Sequence, residues 1–352
     1  MEIVKVNSSV KYEVRIGSGL LASAGAQIKE IHPCKKAFIV SDDNVFGFYG
    51  EALTKSLADA GYEVGNYVFP HGEQHKNIGT YAAILNEMCL FKMSRGDIVV
   101  ALGGGIVGDM AGFAAATYQR GIPFVQVPTS LLAAVDSSVG GKTGIDLENG
   151  KNQVGAFYQP LLVLCDIDTL NTLPEEEYRN GCAEIIKYAM IGSAELFEEI
   201  EKTPVKEQYE HVVAKCVSMK RDYVEQDEHD LGLRMMLNFG HTFGHAVETC
   251  SKYGIAHGAG VAIGMTAIAR ASVKKGLIDG ETRDRLIALI EKYGLPTETD
   301  FPVEDLAAAA VTDKKRSGDK MHLIVPTCLG TCVIRDIHKD EVMDWMRAGD
   351  LK

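Results

Sequence analysis

A chain of 352 residues is long for one hydrophobic core, so two domains are expected. Hydrophobic residues make up 46% and charged residues 24%, the balance of an ordinary globular protein. A formal net charge of −12 argues against nucleic acid or an anionic membrane as the general partner, and no apolar run approaches the ~20 residues of a membrane span.

The opening stretch, MEIVKVNSSVKYEVRIG, alternates like a strand and lacks the apolar centre of a signal peptide. Up to Pro174, apolar β-rich runs alternate with helical patterns. The runs are KAFIVSDDN (36–44), YEVGNYVFP (62–70), DIVVALGGG (97–105), PFVQVPTS (123–130) and PLLVLCDI (160–167), with helical stretches such as 45–60 and 77–92 between them. Continuous Val/Ile runs separated by helices imply a parallel sheet covered on both faces. Beyond Pro174 the pattern turns helical. PEEEYRNGCAEIIKYAMI opens with proline and three glutamates, which suit a helix N-terminus. Helical periodicity runs to about residue 294, and near the end only HLIVPT and CVIRDI look like strands. The expected fold is therefore an α/β Rossmann-like domain over 1–172 followed by a mostly helical domain over 173–352. Eight cysteines lie scattered, mostly in apolar stretches, and read as reduced thiols of a cytoplasmic protein. Cys328 and Cys332 form a lone C-x3-C with no second pair to complete a zinc knuckle.

Two stretches carry chemistry. In VVALGGGIVGDMAGFAAATY a strand runs through Gly103, Gly105 and Gly108, in G-x-G-x-x-G spacing, into a helix. Such glycines let backbone N–H groups approach a pyrophosphate at the helix N-terminus. The acid that usually follows about 20 residues later is missing from VQVPTS. A different strand does end in one, Asp42, with Asn44 behind it, and these residues suit ribose hydroxyls. A structural turn beside an ordinary N-capping aspartate gives the same pattern.

In LNFGHTFGHAVE (237–248), His241 and His245 stand one helical turn apart, but no Glu lies between them as in H-E-x-x-H. His257, in GIAHGAGVAIG, offers a different partner for His241. Glu184 sits on an otherwise apolar face of GCAEIIKYAMI, where a lone carboxylate is costly. Lys187, one turn on, suits a plain i,i+3 ion pair. Catalytic zinc takes three protein ligands and leaves one position open. Spacing makes His241 a candidate for such a set, beside a capped polar network or a wet corner of the core, and leaves the third ligand undecided.

Together, GGGIVGDMAGFAAATYQRG, PTSLLAAVDSSVGGKTGIDLENGKNQVGAFYQP, GCAEIIKYAMI and LRMMLNFGHTFGHAVE closely resemble the 3-dehydroquinate synthase family of sugar phosphate cyclases, over about residues 36–320. The resemblance implies an NAD- and zinc-dependent homodimeric enzyme, with cobalt as an alternative metal. It converts 3-deoxy-D-arabino-heptulosonate 7-phosphate to 3-dehydroquinate and phosphate, on the shikimate route to aromatic amino acids. Its steps are a transient oxidation by NAD, phosphate elimination, re-reduction, ring opening and an aldol closure, so the cofactor emerges unchanged. The implied fold is an N-terminal Rossmann-like domain and a C-terminal helical one.

Residue by residue, the resemblance places the metal on Glu184, His241 and His257, which makes His245 a substrate-side histidine. It places NAD on Asp42, Asn44, Glu73, Lys76, Gly104, Gly105, Ile106, Asp109, Thr129, Ser130, Lys151 and Thr172. Substrate contacts fall on Asp136, Lys142, Asn152, Lys187, Lys220, Arg234, Asn238 and His245. Arg120 reaches the phosphate of the neighbouring subunit, and Lys314 or Lys315 reaches it as well. On one continuous helix Arg234, Asn238 and His241 would share a face. Ser130 and Ala134 stand where the family commonly has Thr and Gln. A sister cyclase acting on a substrate without a carboxylate would not need Arg234 with Lys220. An aminodehydroquinate synthase would keep all these anion contacts. An iron-type alcohol dehydrogenase would not need this cluster of lysines, and a dead nucleotide-binding regulator would be expected to have lost a metal ligand or Lys142.

Overall fold

The alternating N-terminal stretch forms a hairpin, β1 (Glu2–Asn7) with β2 (Lys11–Gly17). The computed structural model describes residues 1–148, 150–313 and 319–352. After the hairpin, helices and strands alternate as the Val/Ile runs predict: α1 (Leu20–Ile31), β3 (Lys36–Asp42), α2 (Asp43–Asp59), β4 (Glu63–Phe69), α3 (Ile78–Leu90), β5 (Ile98–Gly103), α4 (Gly105–Thr117) and β6 (Phe124–Pro128). A second hairpin, β7 (Lys142–Leu147) with β8 (Gly150–Phe157), precedes β9 (Leu162–Asp166).

Seven strands form one sheet in the order β1-β2-β9-β6-β5-β3-β4, parallel except for the β1–β2 pair. Alternate residues divide between its two faces. Phe38, Val40, Val99 and Ala101 pack with Ile84, Met88, Met110 and Ala114 on one side. Ala37, Ile39, Val100 and Leu102 pack with Ala24, Ile28, Leu53 and Leu57 on the other. Both faces are apolar, so the runs read as unbroken rather than alternating. Among the consecutive parallel strands, β4 and β5 lie on opposite sides of β3, so the order reverses between β3 and β5. In open α/β sheets ligands bind outside the carboxyl ends at such a reversal. Asp42 and the Gly103–Gly105 turn stand there.

The β7–β8 hairpin was not expected. KTGIDL and GKNQVGAF interleave Gly, Lys and Asn with apolar residues, so no periodic run marks them. It packs against α4, where Thr143 lies against Gly112.

The later chain supplies α5 (Glu175–Gly192), α6 (Ala194–Lys202), α7 (Tyr209–Gln226), α8 (His241–Cys250), α9 (His257–Lys274), α10 (Gly280–Lys292) and α11 (Val303–Asp313). The hairpin β10 (Lys320–Cys328) with β11 (Thr331–His338) and the helix α12 (Val342–Ala348) follow. HLIVPT and CVIRDI are its two strands. The chain forms two compact units, 1–173 with 209–229, and 174–208 with 230–352. The division therefore differs from a single boundary after Thr172, because α7 belongs with the first unit. It lies along β1 and β2, and Glu225 and Glu228 accept backbone N–H bonds from Asn7 and Ser9 at 2.6 and 2.9 Å. Periodicity tells that a stretch is helical but not which core its apolar stripe joins.

Within the second unit, α8 and α9 cross at glycines. A Cβ on Gly244 would stand 2.8 Å from the backbone of Gly260, and one on Gly264 would strike the Gly240 carbonyl. Only glycine permits that approach, which sets His241 and His257, the first residues of the two helices, beside each other. No helix of the described residues is long and apolar enough to cross a membrane.

Candidate active site

Glu184, on α5, is fully buried. A carboxylate there must meet positive charge. His241 Nε2 and His257 Nε2 both face its Oε1, at 3.5 and 3.4 Å. Ligands held ~2.0–2.1 Å from a tetrahedral ion stand about 3.3 Å apart, so this trio has the spacing of a metal site. Its donor atoms lie within 4.8 Å of one another. Lys187, also buried, forms an ion pair with the other carboxylate oxygen of Glu184, so the i,i+3 contact is real.

The far nitrogens are fixed. His241 Nδ1 meets the Phe239 carbonyl at 3.1 Å, and His257 Nδ1 meets Glu248 Oε1 at 2.8 Å. An Nδ1–H donated to such partners leaves Nε2 as the lone-pair atom and aims it. Glu248 lies within the GHAVE segment and was not singled out from sequence. Its place seven residues after His241 and three after His245, on the same side of α8, was the available signal. Burial pushes the His241 imidazole down to about 3, so it is neutral and ready to coordinate. At His257 burial also acts downward, but hydrogen bonds and charge from Glu184 and Glu248 outweigh it and raise the ring to about 10. Two flanking carboxylates favour a positive charge between them, which a divalent ion would supply in place of the proton.

A second grouping of possible ligands is His245, Glu248 and His257. Glu248 already bonds to His257 Nδ1, which suits it to orienting that ring. His245 stands with its ring centroid 5.5 Å from His241 and 5.9 Å from His257.

Arg234 is buried, not a surface arginine. It does not share a helix with His241, however. Arg234 and Asn238 lie in a separate turn of 3-10 helix, Leu233–Asn238, and Gly240 at φ 79° breaks the chain before α8 begins. A residue in the left-handed region cannot continue an α-helix, so heptad spacing does not carry across it. A cavity of about 770 Å³ in the same unit is lined by Arg179, Asn180, Ile255, Leu295 and Phe301, among others, and by none of the predicted site residues.

The first unit gathers the predicted cofactor set. Asp42 ends β3 and caps α2, accepting from Val45 N at 2.9 Å, and Asn44 is exposed beside it. Burial, ahead of its other surroundings, raises the Asp42 carboxyl. Gly104 precedes α4, whose first residues are Gly105 and Ile106, and a Cβ on Gly104 would sit 3.3 Å from Ser130 Oγ. Thr129 N bonds to the Gly103 carbonyl at 3.0 Å. Thr172 bonds to Tyr49 of α2 at 2.6 Å. If Asp42 holds ribose hydroxyls, Asp42→Ala should weaken NAD binding by roughly 10- to 150-fold, the 1.5–3 kcal/mol of a hydrogen bond to a charged group. Asp42→Asn, which keeps the helix cap and one acceptor oxygen but not the charge, should show a smaller loss in a calorimetric titration. Unchanged affinity in both variants would make Asp42 a cap alone.

Lys76 Nζ reaches Asp109 Oδ2 and Asn152 Oδ1, each at 2.6 Å, joining a predicted cofactor residue to a predicted substrate residue. Burial acts to lower Lys76, but the Asp109 carboxylate and other acids hold it above its usual value. Lys151 pairs with Glu73 at 3.1 Å. Lys220, on α7, forms an ion pair with Asp136 and donates to its carbonyl at 2.6 Å. Lys142 begins β7 and is exposed. Arg120 is exposed at φ 71°, following Gln119 at φ 49°. Lys314 and Lys315 fall outside the described residues.

The sequence matches the family model "3-dehydroquinate synthase N-terminal" over residues 66–180 and "3-dehydroquinate synthase C-terminal" over 181–316. The 3-dehydroquinate synthase of Streptococcus suis is 42% identical over 343 residues, covering 96% of this chain and 97% of the relative. That of Acaryochloris marina is 44% identical over 341 residues, covering 92% of each. Among solved structures, the 2-epi-5-epi-valiolone synthase ValA of Streptomyces hygroscopicus, with NAD+ and Zn2+ bound, superposes with a TM-score of 0.89 at 28% identity and covers 99% of both chains. Matched along nearly its whole length, the chain belongs to the 3-dehydroquinate synthase family.

Proposed function

We propose that this chain is a 3-dehydroquinate synthase, which converts 3-deoxy-D-arabino-heptulosonate 7-phosphate to 3-dehydroquinate and phosphate using NAD and one divalent ion, zinc or cobalt. The observation that carries the reading is the convergence of Glu184, His241 and His257, in a chain matched along its length by such synthases. When bound at Glu184, His241 and His257, the ion would supply Lewis acidity toward a substrate hydroxyl, and NAD would supply a reversible hydride acceptor.

The protein's own groups bind and orient. The first unit takes NAD: Asp42 accepts from ribose hydroxyls, and the amides at Gly104–Ile106 meet the pyrophosphate at the start of α4. Lys76, Asp109, Glu73 and Lys151 form the surrounding charged frame. The second unit takes the metal on Glu184, His241 and His257, and Arg234 grips the substrate carboxylate with a planar pair of donors. Lys142 and Lys220 bring positive charge to an anionic substrate on an acidic protein, while Asn152 and Asn238 hydrogen-bond its hydroxyls. His245 exchanges a proton with the substrate beside the metal ligands. In the homodimer, exposed Arg120 reaches the phosphate bound by the neighbouring subunit. The enzyme works in the cytoplasm, a reading that eight free cysteines support.

Substrate class is tested by supplying NAD and zinc with either the heptulosonate phosphate or the corresponding heptulose 7-phosphate without the carboxylate. Phosphate should be released efficiently from the first and poorly from the second. Preference for the second would assign the chain to a sister cyclase.

A further inference from the structure

Asp146 lies opposite a bulge in the β7–β8 hairpin. Ile145 pairs with Val154 and Leu147 with Gly150, so three residues of β8, Lys151, Asn152 and Gln153, stand opposite Asp146 alone and the bulge lies on β8. The Asp146 backbone turns to another partner instead, donating its N–H to the Lys76 carbonyl at 2.8 Å and bridging Asn77. Its side chain turns back into the hairpin, where Oδ1 accepts the backbone N–H of Asn152 at 2.7 Å. Asn152 has φ 53°, in the left-handed region, which Asn adopts more readily than most other side-chain-bearing residues. From that pose its Oδ1 receives Lys76 Nζ at 2.6 Å. A bulge commonly re-aims a side chain beside an active site.

We propose that Asp146 is a positioning residue, which locks the left-handed turn at Asn152 and so fixes the Lys76–Asn152 contact from both ends. It holds the backbone of Lys76 through its own N–H and the backbone of Asn152 through its carboxylate. The inference rests on the reading of Lys76 as a cofactor contact and Asn152 as a substrate contact. Asp146 touches neither ligand in this scheme. Its effect is transmitted through Asn152, because a displacement of about 1 Å in a positioning group can cost roughly 100-fold in rate.

The test is a double-mutant cycle on kcat/KM, with melting temperature and metal content recorded for every variant. Asn152→Ala and Asp146→Ala should each lower kcat/KM by roughly 100-fold. Asp146→Ala added to Asn152→Ala should cost less than about threefold more, because the group it positions is already gone. Asp146→Asn, which keeps an acceptor oxygen for the Asn152 N–H, should recover most of the loss. Should Asp146→Ala fail to fold, Asp146→Ser replaces it in the same cycle. Additive losses, or a lowered melting temperature with kcat/KM unchanged, would overturn the positioning role. No loss from Asn152→Ala itself would overturn the assignment of Asn152, and the inference with it.

Discussion

Alanine in place of Glu184, His241 or His257 should strip the protein of its divalent ion and reduce turnover to background, whereas His245→Ala should keep the ion and lose turnover. The expectation comes from the geometry: two imidazole Nε2 atoms converge on one buried carboxylate oxygen at 3.4–3.5 Å, and His245 stands aside from that point. Two remaining ligands seldom retain a metal against competing chelators. Glu248→Ala should fall between these outcomes. Its carboxylate orients His257 through a 2.8 Å contact, and loss of such an outer partner typically weakens metal affinity by about 10- to 100-fold. Metal content after dialysis against a chelator, measured alongside activity, separates the three classes. Metal lost from His245→Ala and Glu248→Ala but retained in Glu184→Ala and His241→Ala would move the site to the second grouping, with Glu248 as ligand.

Arg234→Lys should cut kcat/KM for the heptulosonate phosphate by roughly 100-fold, about 2.7 kcal/mol, with metal and NAD binding close to normal. Lysine keeps the charge but not the planar fork that binds a carboxylate by two parallel hydrogen bonds. Burial of Arg234 sharpens the effect, since a truncated or misplaced charge there cannot be replaced by water. The carboxylate-free heptulose phosphate, already a poor substrate, should lose far less between wild type and variant, because it never used the contact. Equal losses for both would make Arg234 a structural residue.

Much of this was legible in the chain. The parallel sheet follows from unbroken Val/Ile runs, and the reversal of strand order between β3 and β5 places Asp42 and the glycine turn where the motifs put a nucleotide. What spacing left open was long-range. His257 stands sixteen residues from His241, and only the glycine-lined crossing of α8 and α9 brings the two rings together, so no local period could select it. Glu248 was passed over because an acid on an amphipathic helix reads as a solvated one until its partner is known. Arg234, Asn238 and His241 would share a face only on one continuous helix, and a single residue, Gly240, breaks that continuity. The β7–β8 hairpin carries Lys142, Asn152 and Asp146, and its polar side chains turn to one another and to Lys76, as Asn152 Oδ1 does to Lys76 Nζ and Asp146 Oδ1 to Asn152 N, so no apolar run marks it.

NAD should be reduced and oxidised again within one turnover while phosphate leaves. This is tested by following phosphate release and nicotinamide absorbance together, in one cuvette, with purified protein, zinc, NAD and the heptulosonate phosphate. Many phosphates should be released per enzyme with no lasting rise in NADH, and activity should be lost when NAD or the metal is withdrawn. NADH accumulating one for one with substrate consumed would contradict it and make the protein an ordinary dehydrogenase.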